Sequence, residues 1–436
     1  MANNKQDKIL NVPNKREQRQ TCLNVAERQA LRPKGSVPNK REQQQTRLNV
    51  PALRFPEFKG QWETATINNV AKVVGGGTPD TSNKSYWDGT ILWFTPSEIG
   101  RDKYVESSLR KITTDGLNNS SAKILPIHTI LLSSRATVGE CSIALKECTT
   151  NQGFQSLIAK NCDFEFLYYL IQTKKKDLIK KACGSTFSEI SANEVRKIQI
   201  DIPLEKEQVK IGQFLSLLDA RIATQRKIIE DLEQLKKAIS SLIFRDTSVP
   251  IIQLYTFMKK GKAGGTPTST NKDYYGGDIP FLSINDITEQ GKYINHTEKS
   301  LTSKGIENSS AWVVPQGSLI FSMYASVGLV TINTISLATS QAMFAMVLKD
   351  PLLTDYLYYF LTYFRHRYIY KYLETGTQSN INAEIVRTIP IPDFGVDHNI
   401  AIGKILSSID KKISIEKKIS QLLLKQKKYL LHNLFI

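Results

Sequence analysis

Apolar residues recur at every seventh position along Leu204–Phe244. Ile211, Leu218, Gln225, Leu232 and Ile239 form one row, and Phe214, Arg221, Ile228, Leu235 and Leu242 form the companion row. Eight of these ten are apolar, which is the spacing of a coiled-coil seam. Lys and Glu fill the remaining faces, and after Pro203 the stretch holds no proline and one glycine, Gly212. A helix from Gln208 to Phe244 would be about 55 Å long at ~1.5 Å per residue. A lone helix cannot bury such a strip, so a partner is required.

The same chain supplies it. The pattern returns 191 residues on. The seam predicted from this repeat is Ile211, Leu218, Ile228, Leu232, Leu235 and Ile239 against Ile402, Ile409, Ile419, Leu423 and Leu430. Both copies lose the apolar row at one place, where Arg221 and Gln225 become Lys412 and Glu416. Two readings stand there. The helices kink or shift register so that Ile222 and Ile413 take over, or a buried polar layer fixes the register.

The segments before each helix also match. Gly76-Gly77-Thr78-Pro79 returns as Gly264-Gly265-Thr266-Pro267, Tyr86-Trp87-Asp88-Gly89 as Tyr274-Tyr275-Gly276-Gly277, and Ala136-Thr137-Val138-Gly139 as Ala325-Ser326-Val327-Gly328. One long unit is therefore duplicated, at a period far above the ~20–50 residues of a solenoid repeat. Short β-rich runs such as Thr129–Leu132 and Ser318–Phe321 lie between glycine turns, and helices are predicted at Phe164–Lys181 and Thr354–Leu373. The fold class is α+β, with two duplicated mixed α/β domains joined by two long helices that form a coiled coil. The boundaries are a repetitive basic tail at 1–52, a first domain at 53–203, a first helix at 204–247, a second domain at 248–392 and a second helix at 393–436. The tail repeats Val-Pro-Asn-Lys-Arg-Glu-Gln at 12–18 and 37–43 without an apolar face, the signature of a disordered segment.

Charge then narrows the partner. The 436 residues carry a net charge of +17, which points to an acidic partner, nucleic acid above all. No apolar run reaches the ~18–20 residues of a membrane span. The five cysteines are odd in number and form no Cys-x-x-Cys pair, which fits a reducing cytoplasm and gives no metal site. Catalytic motifs are missing too. Gly75–Pro79 lacks the Gly-Lys-Ser/Thr of a phosphate loop and reads as a tight turn. There is no Asn-Pro-Pro-aromatic motif and no glycine-rich turn for S-adenosylmethionine. The chain reads as a binder.

Candidate DNA contacts are polar and aromatic loop residues. In the first domain they are Lys84, Tyr86, Trp87, Ser134, Arg135, Asn151, Gln152, Thr186 and Ser188. In the second they are Lys272, Tyr274, Tyr275, Ser322, Tyr324, Ser340, Gln341, Gln378, Ser379 and Asn380. Arg, Asn and Gln can pair with base edges, and Lys and Ser can hold phosphates. Tyr168, Tyr169, Tyr358 and Tyr359 sit on predicted helices and read as core.

These repeats resemble the specificity subunits of type I restriction–modification systems. The motifs that carry the likeness are Gly-Gly-Thr-Pro with Tyr-x-x-Gly-x-Ile at 76–91 and 264–279, the runs Ile130–Gln152 and Ser318–Gln341, and Ile200–Ile222 with its copy Ile389–Ile413. One departure is that Glu207-Gln208 finds no counterpart at Asp397-His398. The resemblance implies that each domain reads half of a split site on double-stranded DNA, while the helices pack antiparallel as a ruler. It implies two modification subunits that methylate adenine with S-adenosylmethionine, and two restriction subunits that use ATP and Mg2+. No cofactor is expected in this chain. The rival readings are a stand-alone methyltransferase or nuclease, and a coiled-coil scaffold or regulator.

Overall fold

The computed structural model describes residues 49–182, 189–246, 248–324, 326–372 and 380–436. Four helices organise them: α1 (Phe164–Thr173), α2 (Glu205–Phe244), α3 (Thr354–Arg367) and α4 (Val396–Asn433). α2 and α4 are the two long helices. They lie side by side and antiparallel, because Asp219 reaches Lys427 while Lys236 reaches Asp410.

The row Ile211, Leu218, Gln225, Leu232 and Ile239 does face the partner, but its companion row is displaced by one residue. Leu215 and Ile222 are buried, while Phe214, Ile228, Leu235 and Leu242 are 38–79% exposed. Ile228, Leu235 and Leu242 therefore leave the seam, and Ile229, Lys236 and Ile243 are half-buried in their place. The sequence is apolar at both spacings, and a regular 3-4 alternation from Ile211 picks the later position. On α4 the same phase buries Leu406, Ile413, Leu423 and Leu430, with Ile402 and Ile409 half-buried. Ile419 is half-buried on the flank of that strip.

Both readings of the polar break prove partly right. Ile222 and Ile413 are buried, and the helices run unbroken through the region. Gln225 and Glu416 are buried as well, and the Gln225 side-chain amide donates to the Glu416 carboxylate. These two residues are 191 apart, so they are each other's counterpart in the repeat. The pseudo-two-fold axis passes between them.

Each domain carries a larger and a smaller sheet. In the first, the five-stranded sheet runs Ala71–Gly75, Gln155–Ala159, Ile130–Leu132, Cys141–Ala144, Tyr104–Val105. The three-stranded sheet has Trp87–Phe94 at its centre. The second domain repeats this order with Met258–Ala263, Met343–Leu348, Leu319–Ser322, Val330–Asn333 and Tyr293–Ile294, beside a four-stranded sheet built on Tyr275–Leu282. Most pairings are antiparallel, and Leu92–Cys148 and Phe281–Ala338 are parallel. The α+β class holds. Both central strands carry a bulge, between Trp87 and Ile91 and between Tyr275 and Ile279. Asp88 sits in the first with φ 61°, where its counterpart Gly276 has φ 81°. L-residues resist that region, so Asp88→Gly should stabilise by about 0.5 kcal/mol in urea denaturation.

The predicted helix at 164–181 breaks at Lys174, and Lys175–Lys181 continues as a separate short helix. α1 turns its run from Phe166 to Ile171 inward, with Tyr168 and Tyr169 in the core as expected. It crosses α2 at Gly212, where a Cβ would meet the Phe166 nitrogen at 3.0 Å; at Gly403 it would meet the Tyr356 nitrogen at 2.8 Å. Glycine is required there because the start of one helix lies against the side of another. Gln208 does have a counterpart, Asn399. Gln208 binds the Asp163 nitrogen and the Pro203 carbonyl, and Asn399 binds the Phe394 nitrogen and Asp393. Glu207 is held by Arg54 at 2.7 Å and belongs to the first domain only.

Each long helix starts in one domain and ends in the core of the other. Ile211 and Leu215 of α2 pack in the first core, and Phe244 packs in the second. Leu406 of α4 packs in the second core, while Leu430, Leu434 and Phe435 pack in the first. The backbone closes the same circuit, with the Leu53 nitrogen donating to the Asn433 carbonyl at 2.8 Å.

Candidate nucleic-acid interface

The Gly-Gly-Thr-Pro segments are not turns but extended connections pinned to a neighbouring loop. A Cβ on Gly76 would lie 2.0 Å from the Asn151 carbonyl, and one on Gly264 would lie 2.1 Å from the Thr339 carbonyl. The Gly77 nitrogen donates to Thr150 at 2.8 Å, and the Gly265 nitrogen donates to Thr339 at 2.9 Å. The Thr78 and Thr266 hydroxyls then donate to the side chains of Gln152 and Gln341. Two candidate contacts are thus fixed by the same bond in both domains.

The next loop places a lysine. Asn83 accepts from the Ser85 nitrogen and Asn271 from the Asp273 nitrogen, which caps a single 3-10 turn in each domain. Lys84 and Lys272 open these turns and are exposed; Tyr86 and Tyr274 are half-buried. Trp87 is not available. It is 7% exposed, packs edge-on against Trp93 at 5.0 Å, and has the Arg110 guanidinium 3.5 Å from its ring. Its indole nitrogen donates to the Asp80 carbonyl, and the Tyr275 hydroxyl likewise donates to the Pro267 carbonyl, so both rings close their own loop.

Ser134 and Ser322 are also interior. Both are 0% exposed, and the Ser322 hydroxyl donates to the Ser326 carbonyl at 2.7 Å. Their neighbours reach the surface. Arg135 is 45% exposed and Tyr324 39% exposed. Backbone strain marks these tips, with Ala136 at φ 57° and Ser326 at φ 66°, a conformation that clusters at functional loops. The Arg135 Nε atom pairs with Glu189 at 2.8 Å. Asn151 spends its side-chain oxygen on the Gly153 nitrogen. Ser340 and Asn380 are half-buried. Thr186, Ser188, Gln378 and Ser379 lie outside the described residues.

The structure also holds a duplicated polar network that the loop survey missed. Lys103 Nζ binds Glu165 and Ser216, each at 2.9 Å; Lys292 Nζ binds Asp355 and Tyr359, each at 2.8 Å. The Tyr169 hydroxyl donates to Asp219 and the Tyr359 hydroxyl to Asp410, and Lys427 and Lys236 complete these pairs from the opposite helix. Burial pulls the Lys103 ammonium below its ordinary value, with Glu165 opposing that, and burial followed by Asp219 pushes the Tyr169 phenol upward. Desolvation offsets much of what such buried pairs gain, so they add little net stability. The signal was present in the sequence, since Asp219/Asp410 and Lys236/Lys427 are repeated polar identities inside an otherwise apolar pattern.

Burial raises the thiols of Cys141, Cys148 and Cys162 to about 12, which makes them poor nucleophiles. Among the described residues no cluster of His, Cys, Asp or Glu could hold a metal ion, and no helix is long and apolar enough to cross a membrane.

Two sheet domains with matching lysine-bearing loops, joined by a pseudo-symmetric antiparallel helix pair, define a duplicated two-domain protein. The family profile described as type I restriction modification DNA specificity domain matches residues 59–234 and again 252–425. The chain belongs to that family. It is similar to the type I restriction enzyme MjaIX specificity subunit of Methanocaldococcus jannaschii, with 38% identity over 40% of this chain and 41% of the relative. It is also similar to the EcoR124I/EcoR124II specificity subunit of Escherichia coli, with 27% identity over 38% of this chain and 43% of the relative. The chain thus aligns with less than half the length of either. A type I restriction–modification S subunit from M. genitalium shares the fold at a TM-score of 0.57 and 18% identity, over 89% of this chain and 99% of that one.

Proposed function

We propose that this chain is the sequence-specific DNA-binding specificity subunit of a type I restriction–modification complex. Each domain reads one half of a bipartite site. The observation that carries this reading is the pairing of two equivalent loop sets across the pseudo-two-fold of α2 and α4. An antiparallel pair of helices of 40 and 38 residues suits half-sites about one DNA turn apart, ~34 Å. The chain itself is non-catalytic. It directs adenine methylation or cleavage by two modification and two restriction subunits, which use S-adenosylmethionine, ATP and Mg2+ in the cytoplasm.

The two half-sites differ in sequence. Arg135 stands where the second domain has Tyr324, and Glu189 where it has Asn380. Arg favours guanine in the major groove, so such exchanges change the bases read. Methylome sequencing of the host with and without the gene tests the reading. An asymmetric motif with a non-specific spacer supports it, and a palindrome or an unsplit motif refutes it. Arg135→Ala should cost about 1–3 kcal/mol of binding and relax the first half-site alone. Lys272→Ala should weaken all sequences alike and flatten the salt dependence.

A further inference from the structure

Two clefts lie where the helix pair meets the domains. The first, of about 840 Å³, is lined by Lys236, Lys237, Arg245, His366, Arg367 and Lys417, with Glu233 and Asp410 as its acids. The second, of about 1000 Å³, is lined by Lys174, Lys175, Lys176, Lys427, Lys428 and His432, with Asp177 as its acidic side chain. They are counterparts in the repeat, since Lys237 corresponds to Lys428 and His366 to Lys176.

Part of this charge is neutralised. Lys236 pairs with Asp410, Lys417 with Glu233, Lys427 with Asp219 and Lys175 with Glu140. Lys237 and Arg367 in the first cleft, and Lys176 and Lys428 in the second, are exposed and make no ion pair among the described residues. Like charge is crowded there: burial, Arg365 and Lys237 together hold His366 below its ordinary value. A counter-anion from outside the chain would relieve this.

The second cleft adjoins the loop that carries Arg135, since Lys175 pairs with Glu140, and the matching loop of the second domain packs on Arg365, the neighbour of His366. A third cavity, of about 570 Å³, shares Lys175 and Lys427 with the second cleft and extends to Gly139 and Glu140. In the second domain a Cβ on Gly328 would lie 2.8 Å from the side chain of Arg365, whose Nε atom donates to the Val327 carbonyl at 3.2 Å. Asp410 lines the first cleft and Lys427 the second, both on α4, and at roughly 1.5 Å per residue they lie about 26 Å apart. That is shorter than one turn of DNA, ~34 Å.

We propose that these clefts are paired phosphate clamps on the DNA between the two half-sites. This rests on the specificity-subunit reading above. A duplex is a rigid polyanion with its own two-fold, and it can meet two symmetry-related cationic sites and two reading loops at once. An acidic protein segment has no such two-fold of its own.

The test uses the full chain carrying Lys237→Gln, Arg367→Gln, Lys176→Gln and Lys428→Gln. A control variant carries Lys123→Gln, Lys160→Gln, Lys206→Gln and Lys304→Gln, which removes the same charge elsewhere. Affinity for a duplex of about 30 base pairs is measured against NaCl concentration, and thermal unfolding checks the fold. Each lost phosphate contact lowers the slope of log K on log salt by about 0.9. The cleft variant should therefore lose about 3–4 from the slope and keep its melting temperature, while the control changes far less. An equal loss in both variants overturns the clamps, because net charge then explains the effect. An unchanged slope with lost binding of modification subunits overturns them in favour of an acidic protein partner. A wild-type chain that binds no duplex at all overturns the specificity reading itself.

Discussion

Leu423→Asp is expected to unpair the two long helices. Leu423 is 6% exposed and lies on the strip of α4 that faces α2. The substitution removes a buried leucine and places a carboxylate on the apolar strip. Lost apolar burial is worth about 2–5 kcal/mol, and burying a carboxylate adds a desolvation cost to that. The neighbouring Leu422 is 64% exposed, so Leu422→Asp should change stability by less than about 0.5 kcal/mol. Urea denaturation of the two variants gives the comparison, and methylation of the host gives the functional readout. Loss of both with Leu423→Asp, and neither with Leu422→Asp, fixes the phase of the seam. Equal effects would show it misplaced.

Phe435→Ala should destabilise the first domain, although the residue follows the second domain in the chain. Its ring lies 5.2 Å from Phe166 and 6.3 Å from Trp62 and is 5% exposed. Truncating a buried phenylalanine costs about 3–5 kcal/mol. Hydrogen exchange should accelerate in α1 and leave α3 protected. Phe244→Ala should do the reverse, since Phe244 packs on Tyr356 and Phe360 in the second core. Faster exchange in both domains from either change would mean that the two cores unfold as one.

The duplication, both domains and the two long helices were legible in the sequence because they rest on period and repetition. The seam's phase was not. From Ile211 the residues three and four positions on are both apolar, Phe214 and Leu215, and the same ambiguity recurs at Ile228 and Ile229. Only packing against α4 decides between them. Among candidate contacts, residue type suggested Trp87, Ser134 and Ser322, yet their polar atoms lie inside loops whose closure depends on distant strands. Exposure separated Lys84, Arg135, Lys272 and Tyr324 from them. The lysine–aspartate network was visible as repeated charges, but its partners are brought together from opposite helices, which composition alone does not foretell.

Gln225 and Glu416 meet on the pseudo-two-fold axis, and they are unlike. If two copies of the second half paired with each other, two carboxylates would face across that buried layer. Two copies of the first half would bring two neutral amides together. The unlike pair lets an amide donate to a carboxylate, which neither like pair reproduces. A single position thus favours the pairing of unlike halves over like ones.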